Sequence, residues 1–285
     1  MSDRLTVGAA LAQAGLAPID ASVLLAHALG KDRASLVAHA ADELPQQAFD
    51  AFFAAARRRR DGEPVAYLTG RREFHGIALD VTPAVLIPRP ETEALVDAAL
   101  DRIGMDTPAR VLDLGTGSGA IALAIAHARP NADVVGVDIA GAALTVARGN
   151  AQRLGLANAR FAPSDWFAAL SGMRFDVIVA NPPYIAAGDP HLAEGDLRFE
   201  PRHALTPGGD GLDALRTIVA GAPAHLVRDG ALLVEHGFDQ APAVRNLFVH
   251  HGYADVRSTR DLAGHLRVVA GRAVVAAPAN SPRLP

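Results

Sequence analysis

Apolar positions recur at helical spacing through about residue 70. Phe49, Phe52, Phe53 and Ala56 fall at i, i+3, i+4 and i+7, one face of a helix. Gly15, Gly30 and Pro45 divide this region into four or five short helices. The run Arg57 to Arg60 closes the last long one, where positive charge suits the C-terminal dipole; contact with RNA or an acidic partner is the competing use. The pattern then shortens. "REFHGIALDV" alternates around a glycine and predicts a small hairpin. In "LIPRPETEALVDAAL", Pro90 stands at the first position of a helix with acidic residues in its first turn.

From Arg110 onward, strand-like and helix-like stretches alternate. "RVLDL", "DVVGVD", "FDVIVAN" and "GALLVEHG" read as strands, and "ADVRSTRDLAGHLRVVAGR" as a closing antiparallel pair. "GAIALAIAHAR", "GAALTVARGNAQRLG" and the stretch from Leu212 to Val227 read as helices. This order predicts an α/β fold with a mostly parallel sheet covered on both faces. In such sheets ligands sit beyond the carboxyl ends of the strands.

Composition removes several chemistries. The chain has 285 residues, half of them apolar, and a net charge of −4. It advertises no basic surplus for nucleic acid. Without cysteine there are no disulfides, thiolate nucleophiles or Cys-based zinc sites, which fits a cytoplasmic enzyme. The single lysine, Lys31, excludes a P-loop NTPase. The first twenty residues lack a basic lead-in and read as a helix, not a signal peptide, and no apolar run reaches the ~18 residues of a membrane span. His250 and His251 are adjacent, so they point apart and make a poor metal pair; no metal is expected.

"VLDLGTGSGAIALA" places Gly115, Gly117 and Gly119 between the first strand and its helix, and Asp138 ends the next strand 21 residues after Gly117. A glycine turn lets a ligand approach backbone amides at a helix N-terminus, and a carboxylate at that second tip can accept both hydroxyls of a ribose. Together they indicate an adenosine-bearing cofactor. Spacing alone leaves NAD open, since Ala120 at the last fingerprint position is tolerated.

"VIVANPPYI" ends an apolar run in an amide, two prolines and a ring. Asn181 offers a side-chain carbonyl, and Pro182 a backbone carbonyl whose direction its ring helps to fix. Two acceptors side by side match the two N–H donors of a planar –NH2 group, on whose face Tyr184 can lie. The motif therefore reads as a clamp for an amide or an exocyclic amine. Hydrogen bonds to both N–H groups draw charge onto the nitrogen and let it pyramidalise toward an electrophile, so positioning supplies most of the catalysis.

In this order, "LDLGTGSGAIALA", "VDIA", "SDWF", "NPPYI", "DPHL", "RFEP" and "EHG" resemble the PrmC/HemK family, protein-(glutamine-N5) methyltransferases that use S-adenosylmethionine on class 1 peptide-chain release factors. The likeness extends to "AYLTGRREFHG" and "LIPRPETEALV" and covers nearly the whole chain. N-P-P-Y is shared with DNA and RNA amino-methyltransferases; "IPRPETE" and "RFEP" are not general to them. The resemblance implies a Rossmann-like seven-stranded sheet, mostly parallel with an antiparallel last strand, and a small N-terminal helical domain. It implies cofactor contacts from Gly115, Thr116, Gly117, Ser118, Gly119, Asp138, Asp165, Trp166 and Asn181. Asn181, Pro182, Pro183 and Tyr184 would meet the glutamine of a Gly-Gly-Gln loop, with Asn181, Pro182 and Tyr184 as the catalytic set.

The expected division is a helical domain over 1–72 that docks the substrate protein, a hairpin linker over 73–88, a methyltransferase domain over 89–276 and a loose tail over 277–285. Arg198 and Glu200 are candidates for touching the substrate protein, with ordinary ion pairs as the alternative. Glu235 either faces the cofactor cleft or caps a strand end. The competing substrates are a ribosomal-protein glutamine, or the exocyclic amine of adenine or guanine in nucleic acid. A non-catalytic nucleoside-binding module is the third class. Neither membrane association nor direct nucleic-acid binding is expected.

Overall fold

In the computed structural model, which describes residues 5–274, the chain forms two compact units. The expected tail at 277–285 lies outside the described residues.

The first unit is Met1–Arg71 together with Ala193–Phe199. It carries helices α1 (Val7–Gln13), α2 (Pro18–Leu29), α3 (Arg33–Ala38), α4 (Gln46–Arg60) and α5 (Val65–Thr69). Thr6 accepts from the Ala9 amide to start α1, and Asp32 does the same for Ser35 at α3. Gly30, at φ +63°, ends α2 in the left-handed region that only glycine enters without cost. The apolar face of α4 buries Ala48, Phe52 and Ala56, while Phe49 and Phe53 pack at its edge. The arginine run is spent mostly within the unit. Arg58 pairs with Glu63, Arg59 reaches Asp20 and Asp196, and Arg60 donates to the Ala14 carbonyl. Arg198 donates to the carbonyl of Asp61 at 2.6 Å, lying where a Cβ on Gly62 would stand. Its fixed partner is thus backbone of the same unit.

The second unit opens with a hairpin of β1 (Arg71–Phe74) and β2 (Ile77–Asp80). Its two turn residues, His75 and Gly76, sit at φ +47° and +77°, the primed turn that matches strand twist. Pro90 starts a short 3-10 turn, Pro90–Thr92, that runs into α6 (Glu93–Leu100). There follow β3 (Arg110–Leu114), α7 (Ala120–Ala128), β4 (Asp133–Asp138), α8 (Gly141–Leu154), β5 (Ala159–Pro163), β6 (Phe175–Ala180), α9 (Arg202–Leu205), α10 (Asp213–Gly221), β7 (Leu226–Glu235), α11 (Ala241–His250), β8 (Ala254–Arg260) and β9 (Leu266–Arg272).

The seven-stranded sheet has the order β5-β4-β3-β6-β7-β9-β8, parallel except for β9, which runs antiparallel to both neighbours. Strand β6 shows why its run is apolar without alternation. Val177 and Val179 face the layer of α6, α7 and α8, whereas Ile178 and Ala180 face the layer of α10 and α11. Both faces are dry, so every position must be apolar. The chain leaves β3 toward β4 on one side and later returns to β6 on the other. That reversal opens a crevice beyond the carboxyl ends of β3 and β6.

Strand β5 is absent from the pattern reading. It is an edge strand of five residues, with Arg160 and Pro163 exposed, so it shows neither an apolar run nor a clear alternation. Strand β7 begins at Leu226, within the stretch read as helix up to Val227. Among the described residues no helix is long and apolar enough to cross a membrane.

Candidate active site

A cavity of about 380 Å³ lies in the second unit at that crevice. Its walls include Gly115 and Gly117 after β3, Asp138 at the tip of β4, Asp165 and Trp166 after β5, and Asn181 and Pro183 after β6. Residues 84–86 and side chains between His203 and Thr217 close the remaining sides.

The glycine turn divides its residues between ligand and scaffold. Gly115 and Gly117, at φ +71° and +55°, line the cavity. Thr116 and Ser118 are buried beneath it. Thr116 Oγ1 donates to Asp113 Oδ2 at 2.6 Å, and the Ser118 carbonyl accepts from Asn150 Nδ2 at 3.0 Å. Gly119 starts α7, packed where an added Cβ would meet Leu123 at 3.0 Å. Of the five turn residues named from the sequence, two therefore reach the cavity. Asp113 is fully buried, and desolvation pushes its carboxyl up to about 7 even though Thr116 and the Ala122 amide donate to it.

Asp138 accepts from the Gly117 amide at 2.9 Å through Oδ2 and from the Ala140 amide at 2.8 Å through Oδ1. It fastens the glycine turn to β4 and still presents carboxylate lone pairs to the cavity. Trp166 adopts φ +46° and lies against Gly115, where a Cβ would contact its ring at 3.6 Å. Bare glycine backbone, a carboxylate with lone pairs to spare and an aromatic plane around one cavity are a donor set that fits an adenosine-bearing ligand.

The N-P-P-Y loop is split in the same way. Asn181 and Pro183 line the cavity; Pro182 is buried, and Tyr184 packs on the core between the sheet and α10–α11. Asn181 Nδ2 donates to Thr92 Oγ1 at 3.1 Å. The Tyr184 hydroxyl donates to Glu235 Oε1 at 3.2 Å, and its carbonyl accepts from Gln240 Nε2 at 2.9 Å. Burial raises the Tyr184 phenol above its ordinary range, with the Glu235 carboxylate adding to the shift. Close behind the loop, a Cβ on Gly211 would come within 2.3 Å of the Tyr184 carbonyl.

Two sequence candidates resolve into scaffold. Glu200 is buried, accepts from the Ile87 amide at 3.0 Å and pairs with Arg89. It therefore cannot touch a substrate protein; it ties "RFEP" to "IPRP". Glu235 is buried too, and desolvation pushes it up to about 7, opposed by the Thr92 and Tyr184 hydroxyls beside it. Thr92 is the functional neighbour that pattern reading missed. A buried threonine 89 positions before its partner carries no periodic signal, and only its place in the quoted "IPRPETE" pointed there. Among the described residues, no group of three or more His, Cys, Asp or Glu is arranged to hold a metal ion.

Comparison with known proteins identifies the family and the fold. Residues 6–70 match the family described as PrmC N-terminal domain, and residues 106–210 one described as a methyltransferase domain. The release factor glutamine methyltransferase of Burkholderia pseudomallei is 57% identical, the match spanning 89% of this chain and 91% of that protein. The Escherichia coli protein of the same name is 47% identical over the same shares. A methyltransferase crystal structure from Pyrococcus furiosus superposes with a TM-score of 0.54 at 17% identity, over 77% of this chain and 98% of that one, and shows the fold.

Proposed function

This chain belongs to the release factor glutamine methyltransferase family, and from that premise we propose that its cavity transfers a methyl group to the side-chain amide nitrogen of the glutamine in the Gly-Gly-Gln loop of a class 1 release factor. The observation that carries the proposal is one cavity whose wall joins Asp138 and Trp166 to Asn181 and Pro183. Residues suited to a nucleoside and residues suited to an amide meet there.

S-adenosylmethionine, when bound, supplies a methyl group on a sulfonium whose leaving thioether is neutral. The chain's own residues do the rest. The backbone of Gly115 and Gly117 lets the methionine end lie against bare peptide, as Thr116, Ser118 and Gly119 hold the turn from behind. Asp138 accepts from the ribose hydroxyls, Trp166 borders the adenine and Asp165 stands beside it at the rim. Asn181 Oδ1 and the Pro182 carbonyl each accept one N–H of the substrate amide, which draws density onto its nitrogen and fixes its line of approach. Tyr184 acts from behind: anchored at both ends, it keeps the loop from yielding. The amide proton leaves after nitrogen has gained the methyl, so no strong base is required at the outset. The helical unit, which has no part in this chemistry, docks the release factor.

A transfer assay with labelled S-adenosylmethionine, offering release factor, ribosomal proteins and DNA separately, tests this. Mass spectrometry should place the methyl on the Gly-Gly-Gln glutamine. Label on a ribosomal protein or on nucleic acid alone would overturn the substrate and keep the cavity chemistry.

A further inference from the structure

The carboxamide of Asn181 has two ends of nearly the same shape and opposite hydrogen-bonding character. Which end faces the cavity decides what the site can recognise, and shape alone cannot decide it. The neighbours of the loop can. Asn181 Nδ2 is held at 3.1 Å by Thr92 Oγ1, and Oδ1 makes no hydrogen bond with the described residues. Thr92 is 4% exposed and sits where the Pro90–Thr92 turn enters α6, so water does not compete for its hydroxyl. The Glu235 carboxyl, itself 1% exposed, lies within electrostatic reach of that hydroxyl. The Thr92 hydroxyl is near enough to favour the carboxylate form of Glu235, although Oε2 has no partner at full hydrogen-bond geometry. Arg267 also favours that form and Glu91 opposes it; Tyr184 donates to the other oxygen.

These contacts order one another. In its carboxylate form Glu235 only accepts, so in that form the hydroxyl beside it turns its proton that way. The Thr92 oxygen then offers lone pairs to Asn181, which must answer with its –NH2 end. Reversing the carboxamide would set Oδ1 against an oxygen whose proton is already committed.

We propose that Thr92 is a positioning residue that makes the site select an amide over a carboxylate: by holding Asn181 through Nδ2 it leaves Oδ1 in the cavity, where a donating –NH2 is satisfied and a glutamate oxygen is repelled. The inference rests on the proposed function above and adds the residue that sets its specificity. Thr92 is not among the residues that line the cavity; it acts through Asn181.

The test is calorimetric binding of a release factor carrying glutamine or glutamate in its Gly-Gly-Gln loop, in the presence of S-adenosylhomocysteine. Thr92→Val, Thr92→Ala and Thr92→Ser are compared with the unaltered enzyme, each after a melting curve confirms folding. The unaltered enzyme should prefer the glutamine form. Thr92→Val should shrink that preference roughly tenfold, the scale of one hydrogen bond of this kind, and Thr92→Ser should keep it. Thr92→Ala removes the same hydroxyl with less bulk and should repeat the loss if the valine form does not fold. On an Asn181→Ala background, Thr92→Ala should change nothing further, because the effect passes through Asn181. An unchanged preference in Thr92→Val or Thr92→Ala overturns the proposal. So does an enzyme that methylates release factor yet binds both forms equally, and that result leaves the proposed function standing. An enzyme that neither methylates release factor nor binds either form overturns both.

Discussion

The hydroxyl of Tyr184 donates to Glu235 Oε1 across 3.2 Å, joining a loop after β6 to the last residue of β7, 51 positions later. The ring of Tyr184 packs in the core and its carbonyl is held by Gln240, so the residue is braced at both ends. Asn181 and Pro182, the acceptors proposed for the substrate amide, sit just before it in the chain, and an error of ~1 Å in placing reacting groups can cost ~100-fold in rate.

That brace has a pH signature. Glu235 titrates at about 7 in the folded chain against an ordinary 4.5, because burial disfavours its charge. The folded state therefore holds the proton more tightly than the unfolded state. Stability is full below the unfolded value, falls as pH rises through 7 and levels off above it. Glu235→Gln removes this titration and keeps an acceptor for Tyr184. Its stability relative to the unaltered chain should rise between pH 5 and 8, by up to about 3 kcal/mol. Unfolding midpoints measured across that range check it; a constant difference would show that burial does not move this carboxyl. Asp113, also at about 7, is common to both proteins and cancels.

Asn181→Ala should collapse turnover by about 100-fold while cofactor affinity stays within roughly threefold. It removes the acceptor proposed for the substrate amide and so mispositions the nitrogen. Single-turnover rates and calorimetric dissociation constants separate the two. Equal losses in both would move Asn181 from the substrate side to the cofactor side.

Asp138→Ala should act on the opposite partner. It deletes the proposed ribose acceptor and also frees the Gly117 and Ala140 amides, so cofactor binding should weaken at least tenfold. An unchanged dissociation constant would refute the ribose assignment.

Glu200→Ala leaves the Ile87 amide without its buried acceptor and Arg89 without its carboxylate. A loss of about 1–3 kcal/mol is expected in urea unfolding, with Glu200→Gln milder because it keeps an acceptor. Equal stability of all three proteins would return Glu200 to the surface role considered from sequence.

What was legible along the chain was whatever rests on local backbone physics. The glycine turn announces itself because positive φ at Gly115 and Gly117 excludes most other residues, and Asp138 stands out as a carboxylate ending an apolar strand. Strand β6 is plain because both its faces are dry; edge strand β5, half wet and carrying Arg160 and Pro163, is not.

The sequence by itself determined the order of the buried strands and their helices, though not edge strand β5, together with the turn that exposes backbone to a ligand and the residue types at the tip of β6. Tertiary structure alone decided which of them face the cavity. Thr116 and Ser118 turned inward, Pro182 was buried, and Tyr184 went to the core. It also gave partners to the buried polar groups. Asn181 met Thr92 across 89 positions and Arg89 met Glu200 across 111. The reason is energetic: a polar group in the interior must be satisfied, but any donor the fold brings near can satisfy it, so periodicity carries no trace of which one does.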